Sequence, residues 1–148
     1  MSPPAARTRY HSTIHATAFN TLVQAGSGDD YLCFPCHTVG YGKASGFVDL
    51  DTTPQLANVQ CENCHGPGSN HVTDPDNVPL EINLDSDSCG TCHQSCHGLC
   101  GDNHHPQHEQ WLESKHSLAV QLIQWEPGTT DECLQCHSTE YRLAPADA

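Results

Sequence analysis

Four times in 148 residues the chain spells Cys-x-x-Cys-His, at Cys33 to His37, Cys61 to His65, Cys89 to His93 and Cys133 to His137. Two thiols at this spacing can bond to the two vinyl edges of one haem, and the histidine that follows brings an imidazole under its iron. Zinc knuckles and disulfide hooks use the same Cys pairs, but neither needs a histidine directly after the second Cys. All four pairs have one. The sequence therefore predicts four covalently bound haem c groups, held by Cys33, Cys36, Cys61, Cys64, Cys89, Cys92, Cys133 and Cys136, with His37, His65, His93 and His137 as proximal ligands.

That density decides what the polypeptide can fold into. Only 36% of residues are hydrophobic and 6% aromatic, and they are too scattered to form long apolar stripes. A chain this short makes one domain, so 1–148 is read as a single tetrahaem cytochrome domain. The porphyrins supply its missing core, and the apoprotein is expected to be largely unfolded.

Five Lys+Arg against eighteen Asp+Glu give a net charge of -13. Nucleic acid and anionic membrane surfaces both require basic patches, so neither is an expected partner. A redox protein with a positive docking face fits, and so does plain solubility. No apolar run is long enough to span a bilayer. The first residues lack the basic and apolar regions of a signal peptide. Since c-type haems are attached outside the cytoplasm, the expectation is a mature form, fragment or expressed piece of an exported precursor, periplasmic or extracellular.

Along the chain, residues 7–25 read as one helix stopped by Gly26, with His11 and His15 four apart on one face. Here His15 is a distal ligand and His11 an ordinary surface residue. Thr53-Pro54 opens a short helix through Leu56 and Val59. Gly66-Pro67-Gly68 predicts a type II turn that throws His71 clear of its own attachment site and toward an adjacent iron. Residues 74–88 read as coil. Cys96 and Cys100 are left to pair locally in an oxidising compartment, with reduced thiols or another metal as alternatives. Cys92 to His97 also spells a longer-spaced variant that competes with Cys89 to His93. Pro106 opens a helix that Pro127 forbids from continuing, with Trp111, Leu112, Leu118 and Leu122 on its apolar face and His116 at its middle. His105, at the helix entrance, is the fourth distal candidate, with His104 second to it. Asp131 and Glu132 start the last helix.

Methionine occurs only as Met1, so distal positions fall to histidine, a weaker ligand, or nothing. Bis-His ligation lacks the potential-raising thioether and predicts low-potential haems. Six-coordinate irons leave no room for substrate. Electron transfer without catalytic residues is then the expectation; a five-coordinate haem would instead permit reduction of a small nitrogen compound.

The order of pieces resembles the cytochrome c-554 family of tetrahaem c-type cytochromes. The resemblance rests on the early helix with His15, on Cys36 to Gly42, on Asn58 to Ser69, and on His105-Pro106 followed by Trp111 and Ser114-Lys115-His116. It implies a mainly α, coil-rich fold of short helices around close-packed haem pairs, with distal ligands at the positions of His15, His71, His105 and His116. The segment holding Cys96, His97 and Cys100 departs from the pattern. The chain is also similar to tetrahaem subunits of extracellular cytochrome filaments, which implies that a soluble shuttle and a conducting homopolymer with inter-subunit haem ligation are both open.

Overall fold

The computed structural model describes residues 9–80, 85–95, 100, 104–139 and 141. Its ordered elements are short: α1 (Ala18–Gln24), α2 (Phe34–His37), α3 (Cys61–His65), α4 (Ser69–Thr73), α5 (Ser86–Gly90), α6 (Gln107–Leu112), α7 (Ala119–Gln124) and α8 (Asp131–His137). Among the described residues three 3-10 turns accompany them: Ile14–Thr17 leads into α1, Pro54–Leu56 precedes α3, and Lys115–Leu118 leads into α7. No strand occurs among the described residues, and Thr38 and Ala57 form an isolated antiparallel bridge. The fold is thus mainly helical and coil-rich, and none of its described helices is long and apolar enough to cross a membrane.

The chain divides into two compact units, residues 1–83 with 97–101 and residues 84–96 with 102–148. The first has a small aromatic core of Phe19, Leu22, Phe34, Phe47 and Ala57, with Cys33, Tyr41 and Leu56 packed against it. Phe34 is its hub: the ring meets Phe19 at 5.7 Å, Tyr41 at 5.2 Å and Phe47 at 5.4 Å between centroids. A tight loop closes over this cluster. Phe47 N–H donates to Val39 O at 2.8 Å, and Gly46 passes so close to the Gly40 carbonyl that a Cβ there would overlap its oxygen.

In the second unit α5 packs on α6, and α7 packs on α8. No large apolar side chain described in this unit is buried; Trp111, Leu112, Leu118, Leu122 and Trp125 are all exposed, Trp125 to 87%.

Several expected helices are shorter or broken. The helix over 7–25 is interrupted at Thr13, whose backbone is extended (φ -94, ψ 156). Ser12 and Thr13 turn their hydroxyls onto the carbonyls of Arg9 and Tyr10, a local bond that competes with helix propagation. His11 and His15 therefore do not share one continuous helix. The helix between Pro106 and Pro127 breaks in the same way at Ser114 (φ -85, ψ 159), whose hydroxyl donates to Trp111 O and accepts from His116 N–H. His116 starts a new turn rather than sitting at mid-helix. The helix opened by Pro54 is the single 3-10 turn Pro54–Leu56, after which Ala57 is extended. Around Pro67 the positive φ belongs to Gly66 (+72), while Gly68 adopts φ -91, ψ -1. That is the third position of a type I turn, not type II. The coil expected over 74–88 already gives way to α5, capped by the Asp85 carboxylate accepting from Asp87 N–H.

Candidate haem-attachment sites

Each Cys-x-x-Cys-His closes within one helical turn. His37 N–H reaches Cys33 O at 3.2 Å and His93 N–H reaches Cys89 O at 2.9 Å, while Cys61 to His65 fills α3 and Cys133 to His137 ends α8. Residues three apart share a helical face, so both thiols of a pair present together with the histidine one residue on. None of the eight motif cysteines is in a disulfide, so the structure does not use these pairs as disulfide hooks. Cys100 is disulfide-bonded; its expected partner Cys96, and His97, lie outside the described residues. Burial, and then the Asp30 carboxylate, push the Cys33 thiol above its ordinary range.

The histidines show what the motifs can hold. His37 is buried, and its Nδ1 donates to Ala18 O at 2.8 Å. His137 Nδ1 donates to Ala119 O at 3.3 Å, and His93 Nδ1 to the Gln107 side-chain oxygen at 3.3 Å. A carbonyl oxygen can only accept, so the proton sits on Nδ1 and Nε2 carries the lone pair. Metal-ligating histidines are oriented in this manner, with the second ring nitrogen tied to a carbonyl or carboxylate. Among the distal candidates His71, half-buried in α4, shows the same feature, donating from Nδ1 to Val78 O at 2.6 Å. The donor set fits haem iron.

The other distal candidates are placed differently. His15 and His116 are exposed, each in a 3-10 turn that runs directly into a helix. His105 adopts φ +55, a left-handed backbone that strains a non-glycine residue. Its ring lies 5.6 Å from that of His93 and 3.9 Å from that of His104.

The first two motifs are tied to one another and to the segment bearing His15. Asn63, inside the second motif, donates from Nδ2 to Thr38 O at 2.9 Å, directly after the first motif. Its Oδ1 accepts from Gln60 N–H at 2.8 Å. Val59 N–H donates to His15 O at 3.2 Å, and Tyr10 donates its hydroxyl to Val59 O at 2.8 Å. Burial, and then Cys61, raise the Tyr10 hydroxyl above its ordinary value and keep it a donor.

A repeat emerges that motif-by-motif reading overlooks. His15 lies three residues before Ala18, whose carbonyl holds His37; His116 lies three residues before Ala119, whose carbonyl holds His137. His-x-x-Ala followed by Cys-x-x-Cys-His thus appears in both units. From the alanine to the motif histidine is 19 residues in the first unit and 18 in the second. Aligning His15-x-x-Ala18 with His116-x-x-Ala119 would have exposed this repeat in the sequence alone.

Residues 4–66 match the family described as cytochrome c554 and c-prime. Cytochrome c-554 of Nitrosomonas europaea is 45% identical over 38 residues, covering 26% of this chain and 16% of that protein. In structure the chain is similar to outer cell wall cytochrome OcwA, with TM-score 0.57 and 22% identity over 77% of this chain and 34% of that one. The chain resembles a c554-type multihaem cytochrome. The c554-type match covers the first two motifs, and the likeness to OcwA is one of fold. The chain spans well under half the length of either relative.

Proposed function

We propose that residues 1–148 form a single tetrahaem c-type cytochrome domain that transfers electrons and catalyses no bond-making reaction. Four haem c groups are attached through the eight motif cysteines, with His37, His65, His93 and His137 as proximal ligands and His15, His71, His105 and His116 as distal ones. Haem iron supplies reversible one-electron exchange. The protein's own groups orient the imidazoles, and bis-His ligation keeps the potentials low. The observation that supports this reading is the Nδ1 bond at His37, His93 and His137, which leaves Nε2 of these three of the four attachment histidines with a lone pair that could ligate iron.

The domain works in the periplasm or outside the cell, where its acidic surface meets redox partners with a basic docking face. It acts either as a soluble shuttle or as a subunit of a conducting filament in which a histidine of one copy ligates a haem of the next. Intact mass of the natural material tests the count, with four covalent haem additions expected and fewer refuting it. An entirely low-spin spectrum, unchanged by nitric oxide or cyanide, is the expected result. A ligand-sensitive high-spin signal would transfer one haem to the reductase reading. Electron microscopy at high concentration separates filament from discrete particles.

A further inference from the structure

We infer that Gln107 is a positioning residue that sets the electron-donating strength of His93, and with it the reduction potential at the third attachment site. The inference rests on the haem reading above. It starts from the way the first turn of α6 grips the third motif. Gln107 accepts from His93 Nδ1 at 3.3 Å. The next residue, His108, donates its main-chain N–H to His93 O at 2.8 Å. Glu109 then accepts from Ser95 N–H at 2.6 Å and from the Ser95 hydroxyl at 2.8 Å.

The His108 ring adds a steric lock. It lies against Gly90, inside the motif, so closely that a Cβ there would stand 2.6 Å from His108 Nδ1. The far nitrogen of the same ring, Nε2, reaches Asp87 at 3.4 Å. With these contacts in place the helix stays seated on the motif without the Gln107 side chain. Gln107 is therefore spare for architecture, and its oxygen has one identifiable task, to hold the His93 ring proton.

That task bears on the iron. An acceptor at Nδ1 draws the proton away from the ring, makes Nε2 more basic, and so favours the oxidised metal. At His37 and His137 the acceptor is a main-chain carbonyl, which no substitution removes. At His93 it is a neutral amide on a replaceable side chain. A carboxylate there would make a shorter, charge-assisted bond, and an apolar side chain would make none.

Spectroelectrochemical titration of the haem-loaded chain tests this with two substitutions of opposite sign. Gln107→Leu is expected to raise one midpoint and Gln107→Glu to lower one, each by about tenfold in the reduction equilibrium, or about 59 mV for a one-electron couple. Electron paramagnetic resonance should show one altered low-spin signal in each variant. A purely structural role would move both variants in the same direction or neither, and either result overturns the inference. Intact mass is read first. A chain without covalent haem overturns the proposed function and this inference together, whereas four haems with unmoved midpoints overturn this inference alone.

Discussion

Phe34→Ala is the substitution that asks most of the first unit, because Phe34 occupies the Cys-x-x-Cys interval and is also the hub of the aromatic cluster. Its side chain is 8% exposed and its ring contacts three others at 5.2 to 5.7 Å. Truncating a buried Phe to Ala costs about 3–5 kcal/mol, a range that includes the lost ring pairs, each worth about 0.5–1.5 kcal/mol. At about 1.4 kcal/mol per factor of ten, local opening should become more frequent by roughly two to three and a half orders of magnitude. Hydrogen exchange of the haem-loaded protein, read peptide by peptide, measures this directly. Amides around Phe19, Val39, Phe47 and Ala57 should exchange faster by that factor, with Phe34→Leu showing a smaller change. An acceleration of less than tenfold would mean that these rings do not hold the unit together, and the packing argument would fail.

Gly46→Ala should destabilise the same unit by about 1–3 kcal/mol, since the new methyl meets Gly40 O and the loop must shift; an unchanged urea midpoint would contradict the close approach. Replacing Cys133 and Cys136 together by Ser should leave a chain with three covalent haems by intact mass, and retention of four would remove the fourth motif from the attachment set. Ser95, first through its main-chain N–H and then through its hydroxyl, holds the Glu109 carboxyl below its ordinary value. The folded value being the lower one, this stabilisation is fully present above the ordinary carboxylate range and is lost as pH falls through the folded value. Urea titrations of Glu109→Gln should therefore show a deficit at neutral pH that closes on acidification, and a deficit independent of pH would count against the ionised contact.

The helical turns of the candidate attachment motifs were legible because each motif is a run of contiguous residues. Cys133 to His137 forms a helix from Asp131 as its sequence suggests, and Cys61 to His65 fills one turn. What periodicity could not see was competition from hydroxyl side chains. The apolar spacing through Trp111, Leu118 and Leu122 argues for a continuous helix, yet Ser114 diverts the backbone and those side chains remain exposed. Thr13 does the same ahead of His15. The Nδ1 partners were also hidden, because Ala18 and Ala119 contribute only a main-chain oxygen and Gln107 reads in sequence as an ordinary polar residue at a helix start. Spacing locates a histidine; it does not say which ring nitrogen is already bonded and which is left with its lone pair.

The lopsided distribution of apolar burial carries a consequence for maturation. Phe19, Leu22, Phe34, Val39, Phe47 and Ala57 all belong to the earlier part of the chain, so the expectation of a largely unfolded apoprotein applies least to that part, which has apolar side chains of its own to condense before any haem is attached. It would offer Cys33 and Cys36 to the attachment machinery on a half-formed scaffold. On the proposed tetrahaem reading the later part, lacking such a nucleus among its described residues, would wait for its haems, and haem supply would then be a checkpoint for completing the molecule rather than a finishing step.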